Sequence, residues 1–432
     1  MSFLSYSLPL GTRSLIYRKK QYISIFFVCM IGVGISLFCL SLINGMMFSL
    51  NSKARLYYGG DLQFMGGMNM PSYDDSDSFV DKLTPIFPKN TVIAERVDFE
   101  ATNTAMYYEG VGVRQRIVKG INFNKEQKLF STFTYVDGNA KEMAGTNGVL
   151  LSEPIAKMLE VHVGDPVTFM LSTAQGYTNT IELVVKGIFK DSSLFGMYTS
   201  YMDIDYLRNA YGYPAKWANR IGIFFPDGAP SQKQIDMYQS QLEKIFEMAP
   251  QVKDKKQFYD VLLSGGYSVP TYALIKLSAN LQDVQVLIDA MKAITGFIIV
   301  MLIVIIVAGI ASTYRVLVMK RINEIGIYMA IGMSRFGICS VLLCEVFALL
   351  GAGCISGFLL SLILNKTIGL INFSFIPAFD IFLTNGNLVP IINGQYTVSM
   401  IAIVIVTTVI AVLFAIQKSV KMTPVEALGV TE

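Results

Sequence analysis

Four long apolar runs decide what this chain can fold into: one stands before a polar block spanning Asn51 to Lys292, and three stand after it. No charged residue occurs between Lys20 and Lys53, and residues 22–47, YISIFFVCMIGVGISLFCLSLINGMM, can cross hydrocarbon with tilt at about 1.5 Å per helical residue. Further runs cover 293–314, 336–365 and 396–416, and the one over 336–365 carries a single acid, Glu345. A segment in lipid must satisfy its backbone hydrogen bonds within itself, so all four are expected as helices rather than strands. The fold class predicted is a membrane protein with four transmembrane α-helices, one plus three, and a large α+β domain inserted between the first and second.

The first run is about twice as long as a signal-peptide core and no small-x-small cleavage site follows it, so it is read as retained. Cys29 and Cys39 lack the small residue that precedes a lipidated cysteine. Orientation follows from the basic residues flanking the runs. Arg13, Arg18, Lys19, Lys20, Arg315, Lys320, Arg321, Arg335, Lys418 and Lys421 fall on one side, opposed there only by Glu324, Glu426 and Glu432. The connection from Lys366 to Gly394 on the other side holds only Lys366 and Asp380. This positive-inside pattern predicts both termini in the cytoplasm and the polar block outside.

The block carries 24 basic and 27 acidic residues, so it offers no basic platform for nucleic acid, and the overall net charge of +3 comes from the inner edges. It contains no cysteine; Cys29, Cys39, Cys339, Cys344 and Cys354 all lie in or beside the apolar runs. The exported part is therefore expected to fold without disulfides and is large enough for a core of its own.

His162 is the only histidine. A multi-histidine metal site is thereby excluded, and a nucleophile–histidine hydrolase would need this residue without any G-x-S-x-G elbow. No P-loop occurs, so the chain cannot bind ATP in that way; no cofactor is expected on it. Gly351, Gly353 and Gly357 lack dinucleotide-fingerprint spacing and are read as small residues for close helix packing in lipid. Glu345 is costly in hydrocarbon, and with no second ionisable group in the runs it is read as a structural contact rather than a proton relay.

Within the polar block, alternation predicts strands at Thr91–Ala94, Gln115–Val118, Val167–Leu171 and Thr180–Phe189. Ser152 is placed as the cap of a short helix through Ala156 and Leu159, and a second helix after Ser231 should present Ile235, Tyr238, Leu242, Ile245 and Phe246 on one face. Two lobes are expected, without internal repeats. Leu274, Leu277, Leu281, Val284, Ile288 and Met291 recur at alternating spacings of three and four, which predicts a stalk helix over 271–292. The polar tail of the first run, Asn51 to Tyr57, is its expected mate.

Between the second and third runs the chain reads YRVLVMKRINEIGIYMAIGMSR. By chemistry alone this is a short amphipathic helix able to dock on a partner, with Arg321 and Glu324 one turn apart and able to pair. The pattern R-x-x-E-I-G-I-x-x-A-I-G, formed by Arg321, Glu324, Ile325, Gly326, Ile327, Ala330, Ile331 and Gly332, resembles the coupling-helix signature of the MacB/FtsX/lipoprotein-releasing superfamily of ABC permeases. The tail T-P-V-E-A-L, with Pro424, Glu426, Ala427 and Leu428, is similar to that family's cytoplasmic tail. VKGIN at 118–122, GVLLSEPIAKMLEVHVGD at 148–165 and VVKGIF at 184–189 resemble its periplasmic domain.

This resemblance implies a layout of cytoplasmic elbow 1–20, transmembrane helix 21–50, periplasmic domain 51–270, stalk 271–292 and transmembrane helix 293–315. A coupling helix over 316–335, transmembrane helix 336–365, periplasmic loop 366–395, transmembrane helix 396–417 and cytoplasmic tail 418–432 complete it. It also implies an inner-membrane permease that is not itself an enzyme and pairs with a second copy or a paralogue. ATP and Mg would be bound by a partner ABC ATPase dimer, whose closure would be relayed to the periplasmic side.

The elbow LGTRS and the stretch LINGM look most like the lipoprotein-releasing branch. There the work would be to extract lipoproteins from the outer leaflet for a periplasmic carrier, with Met46, Met47 and Phe48 as candidate acyl contacts in a setting of membrane lipids. An efflux permease for drugs or peptides with a separate ATPase, and a regulator of a periplasmic hydrolase, are the alternatives the same layout allows.

Overall fold

The computed structural model describes residues 17, 19–100, 104–115, 117–193 and 195–421. All of the expected elbow except residues 17, 19 and 20, and the tail residues Pro424, Glu426, Ala427 and Leu428, lie outside them. The chain divides into two compact units. One is the helical unit, residues 1–47, 288–372 and 388–432; the other comprises 48–287 together with 373–387.

Among the described residues, four helices are long and apolar enough to cross a membrane: Tyr22–Tyr58, Gln282–Met319, Arg335–Gly369 and Gly394–Gln417. The first and second run far past the apolar stretches that predicted them. Extended to Lys19 by its hydrogen bonding, the first is 40 residues, or about 60 Å, twice the roughly 30 Å of a hydrocarbon core. It stops at Gly59 and Gly60, whose backbone amides both bond to the Arg55 carbonyl at φ values of +89° and +127°. Glycine takes this left-handed turn without a Cβ penalty, which is why the helix ends there and a strand can begin at Leu62.

In the helical unit the core joins Tyr22, Ile25, Cys29 and Val33 of the first helix to Ile306 and Ile310 of the second and Leu342, Val346 and Leu350 of the third. The first and third helices meet through small residues. A Cβ on Gly353 would lie 2.6 Å from Cys29 Sγ, and one on Gly357 would lie 2.9 Å from the Met30 carbonyl oxygen. Gly351 has nothing within 4 Å of that position, so only two of the three glycines expected to pack closely do so.

The second unit is built on one sheet of twelve strands. In chain order these are β1 (Leu62–Gly67), β2 (Val92–Glu100), β3 (Ala105–Tyr108), β4 (Val111–Arg114), β5 (Ile117–Ile121) and β6 (Tyr135–Gly138). They continue with β7 (Gly148–Ser152), β8 (Pro166–Ser172), β9 (Thr178–Phe189), β10 (Thr199–Asp203), β11 (Arg220–Phe224) and β12 (Thr271–Lys276). The order across the sheet is β12-β1-β11-β2-β5-β10-β7-β9-β8-β3-β4, with β6 on β9. Every described strand joins the same hydrogen-bonded ladder, and three buried clusters share that scaffold.

The alternating segments lie where the pleat buries one face. In β9 the pattern of Ile181, Leu183 and Val185 pointing inward against exposed neighbours holds until both faces become covered near Phe189. Gln115–Val118, by contrast, straddles the junction of β4 and β5, with the Gln115 amide bonded to the Thr104 carbonyl. Ser152 is the N-cap residue of a helix over Glu153–Leu159, but its side chain makes no capping bond. The helix after Ser231 has a full capping box with Gln234 and buries Ile235, Tyr238 and Leu242, yet it ends at Leu242, leaving Ile245 exposed beyond it.

The predicted stalk needs correction. Leu274 lies in β12, paired opposite Phe64, because Thr271–Lys276 is a short β-branched and aromatic run that completes the edge of the sheet. Leu277 belongs to a single turn, Leu277–Asn280, and the long helix starts only at Gln282, carrying Val284, Ile288 and Met291. The tail of the first helix is held by charge instead of by an apolar seam: Arg96 donates to the Leu56 carbonyl at 2.7 Å and is paired with the buried carboxylate of Glu126, and Lys119 sits 4.2 Å from the centroid of Tyr57. The connection between the third and fourth long helices is likewise no free loop. Lys53 bonds the Asp380 carboxylate at 2.9 Å and its carbonyl at 2.7 Å, which draws residues 373–387 into the second unit.

Beside that clamp, Asp98 lies in the sheet between Lys119 at 2.7 Å and Arg220 at 2.8 Å. Burial alone would raise its pKa, but the two cations, with Arg96 behind them, hold it below the usual carboxylate range. Burial pushes Lys119 the other way, down to about 8. Because the folded-state pKa of Asp98 is depressed, its stabilisation is fully present above the unfolded value of about 3.9 and is lost as pH falls through the folded one. Trp217, the only tryptophan, stacks on Tyr213 and Phe99 in this unit and reports its unfolding by fluorescence. Asp98→Asn is expected to lower stability by about 3 kcal/mol at neutral pH, since it strands two buried cations, and to flatten the loss below pH 4. A variant as stable and as acid-sensitive as the wild type would refute that assignment.

Candidate functional site

The segment between the second and third long helices folds as a nine-residue helix, Ile322–Ala330. Its boundaries follow from the residues. Arg321 is the N-cap position, and at the other end Gly332 takes φ +88° while the Met333 amide bonds back to the Tyr328 carbonyl at 2.9 Å, a left-handed stop. Ser334 then caps the next helix by accepting from the Gly337 amide at 3.2 Å. The sequence Gly-Met-Ser therefore closes one helix and opens another, and Gly332 serves as that terminator.

One face of the short helix packs inward through Ile322, Ile325 and Gly326, where Gly326 leaves no side chain to hold the helix away. The opposite face carries Ile327, Ala330 and Ile331, with Ile327 53 % and Ile331 74 % exposed. Glu324, at the margin, bonds Arg321 Nε at 3.0 Å.

Arg321 does more than the sequence shows. Its Nη1 donates to both carboxylate oxygens of Glu345, at 2.9 and 2.8 Å, and lies 3.2 Å from the Tyr22 hydroxyl. Tyr22 in turn donates to Glu345 Oε2 at 2.9 Å. The Tyr314 hydroxyl, 2.8 Å from the Leu342 carbonyl and 3.2 Å from Glu345 Oε2, shares its proton between two acceptors. Glu345 is fully buried and Arg321 nearly so.

A lone carboxylate in such a place would be prohibitively costly, whereas here both oxygens are paired and charge-assisted. The arrangement performs no group transfer. It ties the short helix through the Arg321 guanidinium to the first and third long helices, and through Glu345 and Tyr314 to the second. The second ionisable partner of Glu345 was missed in the sequence because it comes from the connecting loop, 24 residues away; a single buried acid near a helix end, with an arginine just past the neighbouring helix, is the signal that could have found it.

Of the other candidate residues, Met46 is buried, Met47 is half-buried, and Phe48 is 59 % exposed. Among the described residues, no cluster of three or more histidine, cysteine, aspartate or glutamate side chains could hold a metal ion.

A comparison with curated proteins finds no match. The periplasmic region of MacB from Actinobacillus actinomycetemcomitans is a structural relative at a TM-score of 0.31 and 11 % identity, covering 52 % of this chain and 94 % of that one. Residues 296–424, which hold the short helix, its arginine and Glu345, match the FtsX-like permease C-terminal family. Residues 296–424 of this chain therefore carry an FtsX-like permease C-terminal domain.

Proposed function

We propose that this chain is the permease subunit of a mechanotransmission-type ABC transporter that extracts lipoproteins from the outer leaflet of the inner membrane and hands them to a periplasmic carrier. Permeases of this superfamily work with an ABC ATPase partner, and ATP and Mg would be bound there. The observation that carries the reading is the exposed Ile327–Ala330–Ile331 face on a helix whose other side is locked to three long helices by Arg321 and Glu345.

A partner seated on that face moves the helix, and a buried, fully paired ion cluster transmits the displacement because it has no alternative low-energy arrangement. The first and second long helices run unbroken beyond hydrocarbon length, which gives the displacement a path outward. A second copy or a paralogue would complete the dimer under which two ATPases close. Lipoprotein as cargo is supported by the exposed Phe48 and half-buried Met47 at the end of the first apolar run, where an acyl chain can lie against flexible or aromatic side chains.

The test is a co-purification and ATPase assay in reconstituted membranes. Ile327→Glu with Ile331→Glu, and separately Glu324→Lys, should insert normally but lose at least tenfold in permease-stimulated ATP hydrolysis. Full stimulation in both would remove the docking assignment. For the cargo, a photocrosslinker at Phe48 is expected to label acylated protein, and depletion of the chain should leave lipoproteins in the inner membrane; labelling by lipid alone with normal sorting would favour the efflux alternative.

A further inference from the structure

The first and second long helices both pass from one unit of the chain into the other, and within the second unit a pair of buried amides bridges the points where they meet the sheet. The first helix ends at Tyr58, whose carbonyl lies past the reach of the helix's own amides and accepts from the Gln63 side chain of β1. The Gln63 side-chain oxygen accepts in turn from Asn280 Nδ2 at 2.8 Å, and Asn280 closes the turn Leu277–Asn280 just ahead of the second helix. A carbonyl can only accept, so Gln63 must turn its NH2 to Tyr58 and its oxygen to Asn280, and Asn280 must donate. The end of the relay thus fixes its direction.

The two attachments are unequal. The tail of the first helix is held by Arg96 and Lys119, and its end rests on the bare backbone of Gly222 in β11, where any side chain would run into the Gly59 carbonyl. The second helix is held more sparely. Its turn is fixed to the start of β1 by the Leu277 amide on the Asp61 carbonyl at 3.1 Å, and Leu281, at φ −87° and ψ 7°, leaves the helical path before the long helix begins at Gln282. A single non-helical residue between two elements is a hinge unless its base is fixed. Asn280 is that base, and what it grips is Gln63. We propose that Gln63 is a positioning residue for force transmission: through Tyr58 on one side and Asn280 on the other, it holds the exit of the first helix and the entry of the second in one register, so that a displacement carried by either helix reaches the sheet as a displacement of both. Breaking one half strands a buried amide, which couples the two halves energetically. The role rests on the reading of this chain as a force-transmitting permease.

Hydrogen–deuterium exchange of the detergent-purified full chain tests the relay without any ATPase. Gln63→Met, close in volume, should speed exchange about tenfold both at residues 54–60 and at 277–287, with the amides of β5 and β10 unchanged and Trp217 fluorescence native. Asn280→Leu should loosen 54–60 as well, to which Asn280 makes no hydrogen bond among the described residues, and the double variant should add nothing to either single one. Lys256→Ala removes the exposed pair with Asp283 at the start of the second helix; it is the control and should leave 54–60 untouched. If each variant loosened only its own segment, if the two effects summed, or if Lys256→Ala loosened 54–60 as strongly, the two attachments would be independent and the proposal would fall. Should Gln63→Met fail to fold, Asn280→Leu carries the test alone, through the exchange it raises at 54–60. Stimulated ATP hydrolysis tests the permease reading separately, so the failure of that reading and the failure of the relay are told apart.

Discussion

Replacing Arg321 by leucine is expected to destabilise the helical unit by about 3–5 kcal/mol, because it leaves the Glu345 carboxylate buried with only tyrosine hydroxyls to face it. The same loss is expected for Glu345→Leu, which strands the guanidinium. The informative experiment is the cycle. When both are replaced, as Arg321→Leu with Glu345→Leu, no buried charge remains, and stability should return to within about 1–2 kcal/mol of the wild type, since apolar isosteres of a buried pair are often neutral. Coupled ATP hydrolysis should stay lost, because the short helix would no longer be tied to Tyr22 and Tyr314. Thermal unfolding in detergent and stimulated ATPase activity read the two halves separately. If the double variant recovered both, the cluster would be a packing feature and not a transmission element.

A second large effect is expected at the junction of the first and third long helices. Gly357→Ala would place a methyl 2.9 Å from the Met30 carbonyl oxygen and 3.0 Å from Val33 Cβ, and Gly353→Ala would place one 2.6 Å from Cys29 Sγ. Backbone cannot yield as a flexible side chain can, so Gly357→Ala should cost about 1–3 kcal/mol and Gly357→Leu should prevent the two helices from meeting. Gly351→Ala, with open space at its Cβ, is the matched control and should be at least as stable as the wild type, given the better helix propensity of alanine. Thermal stability of the three alanine variants in detergent decides the point; an equal loss at all three positions would mean that backbone propensity, not close approach, governs this interface.

The legible parts of this chain were those fixed by local rules. Runs of apolar residues in lipid have few structural options, so the four long helices could be read from hydropathy, and the Arg321–Glu324 pair could be read from a spacing of three. What stayed hidden was set by partners far apart in sequence. Glu345 looked alone because its counter-ion lies outside the apolar runs, and the connection around Asp380 looked like a free loop because Lys53, 327 residues earlier, is what holds it. The misassigned start of the stalk has a different cause. A six-residue run such as Thr271–Lys276 fits a helical repeat and a strand equally well, and only the presence of β1 to complete an edge decides between them. The Ile327 and Ile331 face was half-legible, since its apolar periodicity showed a helix but not which side the rest of the chain leaves uncovered.

The pairing of β1 with β12 has an architectural consequence. The chain enters the sheet on β1, directly after the first long helix, and leaves it on β12, just before the second, and Leu62 lies opposite Lys276 across one ladder. Entry and exit are therefore neighbours, and everything from β2 to β11 is a closed excursion between two adjacent points. Apart from residues 373–387, which also join this unit, such an insertion can be lengthened, trimmed or exchanged for another with the same two adjoining strands without re-threading the helices that carry it.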